Sequence, residues 1–441
     1  GRKGGVSVLD GIRAAVSPET EVLYERGCNF LGQALHPFDP SMLRDENGES
    51  GLTGHYYNGP VPQGEPVQVR TDRTVNFNWI FALPHPALDA NCFSVVWTGS
   101  VVMPRTMDGC IGLSTQDSMR LYVDDKLLID GWGKVKSADQ ALDFHFEAGR
   151  TYKIRIEFVN DRRGARVIFG YSAGRENFPA AVEAARKADV AILCMGDNEE
   201  TSGENFDRTD LNLPGRQLEL VQAVYATGTP VVLVLQSGRP VTANWENDHL
   251  PAILEAWFPG EQGGTAIAKT LFGDAAPGGR LPITFPRSVG QIPCHYSRRP
   301  GGGKRYVEMD WLPLYPFGYG LTYTTFAYRD MALSRSVIDP QDTVTVSVTV
   351  TNTGKYTGDA VPQLYVRDMF SSVVKPERQL AAFRRLTLAP GESRRVELTV
   401  GPKQLRTLGP DYVWRVEPGK FELQLGDNAE NILLRADLTV E

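Results

Sequence analysis

The 441-residue sequence lacks several features that define specialised classes of protein. Its longest aliphatic run, VVLVL at 231–235, is far shorter than the ~20 apolar residues of a membrane-spanning helix. It has no excess of basic residues, since 46 Lys and Arg face 53 Asp and Glu and the net charge is −7. No Gly-X-Y period accompanies its glycines and prolines. We therefore expect neither a membrane-spanning, nor a fibrous, nor a nucleic-acid-binding protein.

Cysteine is scarce as well. The five cysteines are scattered, without a Cys-X-X-Cys pair or a His-rich spacing, so the sequence predicts neither a disulfide framework nor a metal site. Cys194 lies in an apolar run, where we expect it to be buried as a small hydrophobic residue. This usage fits a cytoplasmic protein and is compatible with a periplasmic or secreted one. Because the chain begins with Gly1 rather than Met, the missing signal peptide does not decide the compartment.

A pattern of buried strands and helices occupies the middle of the chain. Strand-like apolar runs alternate with helical patterns, which favours a parallel sheet covered on both faces. The runs lie at 188–196, 229–238 and 251–260, and the helical patterns at 215–228 and 263–273. A predicted helix at 8–16 and a predicted strand at 22–27 are of the same type, whereas the polar stretch 36–50 is typical of a linker.

Two other regions have the alternating pattern of antiparallel β-sheets. Residues 51–173 form short alternating segments separated by Gly, Asp and Asn turns. Residues 326–441 contain about seven short strands, as in an immunoglobulin-like sandwich. We therefore predict a multidomain α/β plus all-β protein. Its α/β sandwich domain (1–50 and 174–325) is interrupted by a β-sandwich insert (51–173) and followed by an immunoglobulin-like β-sandwich (326–441).

One acidic loop, 196–215, follows a buried strand at the position where α/β domains carry catalytic groups. Such a loop could be solvated surface. However, Gly203 permits a sharp turn that projects Glu204, and Phe206 could desolvate that carboxyl group and raise its pKa, as a general acid requires. The adjacent Asp207 and Arg208 form an acid–base pair that fits a role in anchoring the loop. Residue chemistry alone leaves the catalytic and the solvated interpretations open.

Several motifs in one order resemble glycoside hydrolase family 3. The segment SGENFDRTDLNLPG (202–215) is similar to the family's acid/base loop, EGxDRxxLxLPGxQ. The resemblance continues through LQSGRPVTANW, EAWFPGEQGG and LYPFGYGLTYTTF. The C-terminal TNTGKYTGDAVPQLYVRD looks like the fibronectin type III-like domain of these enzymes. GLTGHYYNG (51–59) and RLYVDDKLLIDGW (120–132) resemble a protective-antigen-type module found in some members.

The resemblance assigns Glu204 as the general acid/base of a retaining mechanism. Asn205, which replaces the family's usual Gly, and Phe206 then become candidate substrate-binding residues, with Asp207 and Arg208 as loop anchors. Glu200 is the best competitor for the acid/base role, and Glu261 is a weaker one. Carboxylate-pair hydrolysis needs no cofactor, and the sequence predicts none.

The family's nucleophile, an Asp in an SDW or TDW segment, lies on an N-terminal (β/α)8 barrel. This sequence matches that segment only superficially, at Met309-Asp310-Trp311, where the family places no nucleophile. The family's first α/β strand is missing too, and we expect a barrel fragment or chain as a partner. Homo-oligomerisation is left open.

The insert could bind sugars through exposed aromatic side chains or could bury them in its core. The candidates are Trp79, Phe81, Trp97 and Trp132. Related yeast adhesin modules bind calcium through paired aspartates in a loop that reads Ser114-Thr115-Gln116-Asp117 here, and Asp124-Asp125 lies later. Calcium-dependent binding is therefore not expected.

The resemblance favours an exo-acting β-glucosidase that acts on a β-glucoside or oligosaccharide. A β-xylosidase and a non-catalytic glycan-binding chain are the alternatives.

Overall fold

The computed structural model describes most of the chain, and the described residues fall into ten ranges. These are 5–28, 35–79, 83–115, 117–133, 139–160, 166–172, 178–198, 201–204, 206–301 and 305–441. The chain divides into two units. The first comprises Gly1–Tyr24, Ala184–Pro214 and Val224–Glu441, and the second comprises Glu25–Glu183 and Gly215–Ala223.

Helix α1 (Val8–Ala15) begins where its sequence provides a cap. The Ser7 side chain accepts a hydrogen bond from the Asp10 N–H (3.1 Å), which satisfies one of the free donors of the first turn. The predicted helix at 8–16 is thus present. The strand predicted at 22–27 is not, because this segment pairs with no strand among the described residues and Gly27 has a φ of 77°.

The second unit is built from antiparallel strands, which carry the alternating pattern seen in the sequence. They are β1 (His36–Pro37), β2 (Leu43–Arg44), β3 (Leu52–Asn58), β4 (Gln68–Asp72), β5 (Asn76–Asn78), β6 (Phe93–Val102), β7 (Met107–Thr115), β8 (Ser118–Val123), β9 (Lys126–Asp130), β10 (Asp139–Phe146), β11 (Thr151–Asn160) and β12 (Arg166–Ser172). One sheet contains β1, β5, β7, β10 and β12, and the other contains β2, β3, β4, β6, β8, β9 and β11. A single hydrophobic core includes Trp97 and Phe158 from one sheet and Phe169 from the other.

The stretch 36–50, which was predicted to be a linker, belongs to this β unit. Strand β1 pairs with β12, and β2 pairs with β6. Phe38 and Leu43 are completely or almost completely buried in the core. These two side chains are separated by polar and proline residues, and this spacing concealed their contribution from the sequence pattern.

The α/β elements follow in the order expected for a parallel sheet. They are α2 (Pro179–Lys187), β13 (Ala191–Gly196), α3 (Gln217–Tyr225), β14 (Val231–Gln236), α4 (Asn244–His249), β15 (Ala252–Glu255) and α5 (Gly263–Leu271). Strand β14 lies between β13 and β15, and both pairings are parallel. Cys194 is exposed rather than buried, because β13 is an edge strand of the described sheet.

The C-terminal part of the first unit is an all-β sandwich. Its elements are β16 (Phe326–Leu333), β17 (Val337–Ile338), β18 (Val344–Asn352), β19 (Gly358–Ala360), β20 (Gln363–Asp368), β21 (Gln379–Phe383), β22 (Leu386–Leu388), β23 (Ser393–Val400), α6 (Pro402–Leu405), β24 (Thr407–Leu408), β25 (Trp414–Arg415), β26 (Gly419–Gly426) and β27 (Ile432–Val440). One sheet has the order β16-β18-β23 and the other β17-β27-β26-β20-β21. Alternate valines of β18 are fully buried, as their spacing predicted.

Polar contacts join this sandwich to the α/β part of the same unit. The Arg298 guanidinium bridges Glu430 (2.6 Å) and Glu377 (3.3 Å). The Gln363 amide donates to the Gly318 carbonyl (3.0 Å). Among the described residues, no helix is long and apolar enough to cross a membrane.

Candidate active site

The candidate site lies at the carboxyl ends of the three parallel strands, where β13, β14 and β15 end at Gly196, Gln236 and Glu255. The chain leaves β13 at Gly196 with a φ of 139°. A Cβ atom there would lie 2.0 Å from the Gln236 carbonyl oxygen. Only glycine therefore allows the loop to leave the sheet in this direction.

Asp197, the first residue of the loop, holds the loop together. Its N–H donates to the Gln236 carbonyl (2.9 Å), and its side chain is buried. The carboxylate accepts a hydrogen bond from Thr201 Oγ1 (3.0 Å) and pairs with Arg208 Nη1 (3.3 Å) and Arg239 Nε (3.5 Å). One buried carboxylate thus pairs with two guanidinium groups, which compensates its desolvation.

Each arginine also contacts a second part of the loop. Arg208 Nη2 donates to the Asn212 carbonyl (2.8 Å), and Arg239 Nη2 donates to Ser202 Oγ (3.4 Å). Arg208 therefore pairs with Asp197 and not with its neighbour Asp207, which the sequence suggested as its partner. Asp207 is exposed and makes no hydrogen bond or ion pair within the described part of the chain.

Glu204 lies at the tip of the loop, in a turn closed by a hydrogen bond from the Phe206 N–H to the Gly203 carbonyl (3.2 Å). The Phe206 ring packs against Gly203, where a Cβ atom would come within 3.2 Å of it. Glu204 itself is exposed, so the described residues do not supply the desolvation that the sequence reasoning expected from Phe206. Asn205 and the competing Glu200 lie outside the described residues.

The loops after β14 and β15 bring further groups to this edge that sequence reasoning missed. Phe258 is exposed, and its ring lies so close to Gly238 that a Cβ atom on this glycine would be 2.8 Å away. That Cβ position is also 3.5 Å from Ser202 Oγ, so Phe258 and the acidic loop meet at Gly238. The EAWFPG motif was noted for its family resemblance, but its ring was not assigned to the site.

Glu255 ends β15 and is a second unusual carboxyl group at this edge. One oxygen accepts a hydrogen bond from the Trp257 N–H (2.9 Å), and Trp257 has a φ of 51°. The other oxygen is buried and has no hydrogen-bond partner among the described residues. Burial raises the pKa of Glu255 to about 7. In the sequence, the signal that could have identified Glu255 is its position as an acidic residue at the end of an apolar strand.

The two remaining candidate carboxylates, Glu261 and Asp310, belong to segments with a structural role. Glu261 is exposed, and its carbonyl oxygen accepts a hydrogen bond from the Val6 N–H (2.8 Å). In the Met309-Asp310-Trp311 segment, the Asp310 carboxylate accepts from the Leu312 N–H (3.0 Å), and the Trp311 ring lies under the Arg298 guanidinium. Asp310 thus closes a local turn.

In the second unit, the candidate aromatic residues that the structure describes are buried or partly buried. Trp97 is fully buried and stacks with the partly buried Trp79, while Phe81 lies outside the described residues. Trp132 lies under the Arg120 guanidinium. Asp124 and Asp125 form ion pairs with Arg150 and Lys153. Across the described ranges, no group of three or more His, Cys, Asp or Glu side chains could hold a metal ion.

Comparisons with known proteins agree with the motif resemblance. The family model for the glycosyl hydrolase family 3 C-terminal domain matches residues 3–323, and that for the fibronectin type III-like domain matches residues 360–429. A β-xylosidase of Formosa agariphila is 45% identical over 65% of this chain and 41% of its own length. A β-glucosidase of Rhizobium radiobacter is 34% identical over 99% of this chain and 55% of its own length.

Solved structures give a similar result. The crystal structure of a β-glucosidase from Kluyveromyces marxianus in complex with glucose matches with a TM-score of 0.71 and 27% identity. The match covers 100% of this chain and 56% of that chain. The chain thus spans about half the length of the relatives that it matches throughout.

Proposed function

Because the chain belongs to glycosyl hydrolase family 3, we propose that it supplies the general acid/base, Glu204, of an exo-acting retaining β-glycosidase. The preferred substrate class is a β-glucoside or oligosaccharide with a terminal non-reducing β-D-glucosyl residue. The names of the Rhizobium radiobacter and Kluyveromyces marxianus relatives support glucose as the sugar.

The observation that carries this proposal is the exposed position of Glu204 on a loop fixed by the buried Asp197 and its two arginines. A general acid must be held within hydrogen-bond reach of the leaving oxygen, so its backbone has to be well positioned. The carboxyl group must also be accessible to a substrate that binds from outside this chain. The exposure of Glu204 and the ion pairs that hold its loop support this assignment.

In this mechanism the nucleophile comes from a (β/α)8 barrel portion that is not among these 441 residues. Retaining hydrolysis needs two carboxyl groups about 5–5.5 Å apart. Glu204 protonates the leaving oxygen while the nucleophile forms a glycosyl-enzyme, and Glu204 then activates the water that hydrolyses it. The substrate and the barrel portion would supply the desolvation that Glu204 lacks in the described residues. We therefore expect little or no turnover by this chain alone.

A β-xylosidase is the second candidate, favoured by the 45% identity to the Formosa agariphila β-xylosidase. The two sugars differ by one hydroxymethyl group, and the residues that recognise it would lie largely on the barrel portion. Comparing kcat/KM on aryl β-glucoside and aryl β-xyloside distinguishes the two activities.

The central test is the Glu204→Gln substitution in this chain combined with its barrel portion. We expect hydrolysis of cellobiose, which has a poor leaving group, to fall by about 10²–10⁴-fold. Aryl glycosides with activated leaving groups need no protonation, and azide should restore their turnover because it replaces the base-activated water.

Glu261→Gln is the matched control, since it removes an exposed carboxylate from the neighbouring loop and should leave cellobiose hydrolysis unchanged. Glu200→Gln tests the other competitor. Full cellobiose activity in Glu204→Gln would reject the assignment. If this chain together with the barrel portion hydrolyses neither aryl glycoside but binds oligosaccharide, the protein is a non-catalytic glycan-binding chain instead.

We interpret the β unit at 25–183 as the protective-antigen-type insert. We propose that it limits the length of the oligosaccharide that the enzyme accepts. Deleting the unit should then raise kcat/KM for longer oligosaccharides relative to cellobiose. An unchanged chain-length profile would argue against this role.

A further inference from the structure

A groove lies where the end of α5 meets the C-terminal sandwich, within the first unit. Its volume is about 960 Å³. Phe272, Asp274, Tyr323, Tyr356, Asp359 and Thr387 are among its lining residues. We call it the junction groove. The volume is at the upper end of the about 300–1,000 Å³ of ligand pockets, which is more than a single sugar ring fills.

Three aromatic rings in the junction groove are open to solvent. Tyr356 is 63% exposed, Phe272 45% and Tyr323 44%. Single exposed aromatic side chains are common on protein surfaces, whereas these three line one groove, and a contiguous exposed set is typical of a recognition surface. The hydroxyl groups of the tyrosines add polar character to these faces.

The backbone that presents these rings is held by hydrogen bonds. The Phe272 N–H donates to the Ala268 carbonyl (3.0 Å), and the Tyr323 hydroxyl donates to the Thr270 carbonyl. The carbonyl of Tyr356 accepts from the fully buried Asn352 amide (2.8 Å). The rings are therefore exposed on an ordered backbone, which lowers the entropic cost of binding a ligand.

Glycines allow the two walls of the groove to meet. A Cβ atom on Gly358 would lie 2.7 Å from the Thr324 methyl carbon, and one on Gly354 would lie 2.2 Å from Thr324 Oγ1. The 354–358 segment thus packs directly on the chain that carries Tyr323. This close approach places Tyr323 and Tyr356 in one groove instead of on separate surfaces.

The polar groups of the groove include two carboxylates, Asp359 and Asp274. Burial acts to raise the pKa of Asp359, but hydrogen bonds from Thr387 (2.6 Å) and Arg385 hold it below its ordinary value. Asp274 is a second, exposed carboxylate. Asp359 is paired with the Arg385 guanidinium, so the exposed Asp274 is the carboxylate open to a ligand: it disfavours an anionic ligand and accepts hydrogen bonds well from the hydroxyl groups of a neutral sugar.

We propose that the junction groove is a non-catalytic binding site for a neutral β-linked oligosaccharide. The rings of Tyr356, Tyr323 and Phe272 stack on sugar faces, and Asp274 and Thr387 accept or donate hydrogen bonds to sugar hydroxyl groups. The proposal rests on the proposed function only for the choice of the β-linked sugar. Open ring faces suit the flat faces of sugar rings better than the side chains of a polypeptide.

The test is affinity electrophoresis of the 441-residue chain in native gels that contain mixed-linkage β-glucan, with calorimetry against cellopentaose. We expect Tyr356→Ala to weaken binding by about 2- to 10-fold in Kd, since one stacking ring is lost. Tyr356→Phe keeps the ring, so β-glucan should retard this variant as much as it retards the unmodified chain. Tyr412→Ala is the matched control, because Tyr412 is 85% exposed on the same sandwich and does not line the groove.

The proposal would be overturned if β-glucan did not retard the unmodified chain, or if it retarded the unmodified chain and Tyr356→Ala equally. Retardation by a gelatin gel and not by a β-glucan gel would assign the groove to a polypeptide, which also overturns it. Hydrolysis of an aryl β-glucoside by the chain with its barrel portion should be the same for Tyr356→Ala and the unmodified chain. Loss of retardation without loss of hydrolysis therefore separates this site from the proposed active site.

Discussion

At the scale of single residues, Asp197 is the group on which the geometry of the acidic loop depends. Replacing it by Asn keeps the shape but removes the charge that pairs with Arg208 and Arg239. We expect a loss of about 1–3 kcal/mol in stability, because two partly buried guanidinium groups lose a buried counter-ion and Arg208 keeps only the half-exposed Asp210 (3.5 Å). Under the proposed function, we also expect the kcat/KM for cellobiose of this chain combined with its barrel portion to fall about 10- to 100-fold. The reason is that Glu204 is no longer held in place.

Hydrogen exchange of residues 197–210 measures the loosening of the loop independently of activity. Asp207→Asn is the matched control, because Asp207 is exposed and without a contact in the described structure. It should leave both exchange and activity unchanged. If these residues exchange at the same rate in Asp197→Asn as in the wild type, the ion pairs do not hold the loop.

Glu255 predicts a specific pH dependence of stability. Its pKa is raised by burial to about 7 from an ordinary value of 4.5. The folded state therefore binds a proton more tightly than the unfolded state, and stability from this group is lost as the pH rises through about 7. Glu255→Gln stays neutral and keeps an oxygen for the Trp257 N–H. We expect the free energy of unfolding of this variant, relative to that of the wild type, to rise by on the order of 2 kcal/mol from pH 5 to pH 8.

Urea unfolding at the two pH values measures this difference. Glu261→Gln, which removes an exposed carboxylate six residues later, should show no such change between pH 5 and pH 8. If Glu255→Gln and wild type have parallel stability profiles, Glu255 is ionised in the folded protein at neutral pH.

The sequence was informative about Glu204 and less so about its surroundings. The sequence predicted that Glu204 lies on a loop after a buried strand, and this position is confirmed, because such information is local. The ion pairs of Asp197 with Arg208 and Arg239 span 11 and 42 positions, so they depend on how β13 and β14 align. The suggested Asp207–Arg208 pair was adjacent in sequence, but neighbouring side chains on a turn diverge. Phe258 joined the site only through the close approach at Gly238.

At the scale of elements, α1 and α5 cross at two glycines. A Cβ atom on Gly11 would lie 2.1 Å from the Gly264 carbonyl oxygen, and one on Gly264 would lie 2.0 Å from the Ser7 carbonyl oxygen. An alanine inside a helix normally stabilises it by about 1 kcal/mol relative to glycine. Here the added methyl group would collide with backbone, which cannot move aside as a side chain can.

We therefore predict that Gly11→Ala lowers stability by about 1–3 kcal/mol, opposite in sign to its helix propensity. Thermal unfolding followed by circular dichroism measures the effect. Gly279→Ala is the control, since nothing lies within 4 Å of its Cβ position. A higher melting temperature for Gly11→Ala would mean that the two helices can separate without cost.

Elements were predictable where their pattern was long and regular. The alternation of β18 and the apolar runs of β13 and β14 are intrinsic to single strands, and the structure has these strands. Segment 22–27 has the composition of a strand but no neighbouring strand among the described residues, so it does not form one. Segment 36–50 was the reverse case, because its two short strands β1 and β2 exist only through pairing with β12 and β6.

At the scale of the whole molecule, the first and last strands of the β unit pair with each other. In β1 and β12, His36 is opposite Tyr171 and Pro37 is opposite Gly170. The two ends of the unit are therefore adjacent, which is the arrangement that allows a domain to be inserted into another with little disturbance. The unit also has its own core, with Trp97 and Phe158 fully buried. Both observations favour independent folding.

We predict that the isolated fragment 35–172 folds cooperatively, whereas fragment 51–172 is much less stable. The shorter fragment follows the boundary suggested by the sequence pattern and lacks Phe38 and Leu43, which are 1% and 0% exposed. Removing each buried side chain of this size costs about 2–5 kcal/mol, and the loss of β1 and β2 removes backbone pairing as well. Tryptophan fluorescence reports the difference, because the buried Trp97 emits at shorter wavelength when the fragment is folded. Equal unfolding midpoints for the two fragments would show that 35–50 is only a linker, and two unfolded fragments would show that the unit requires the remainder of the chain.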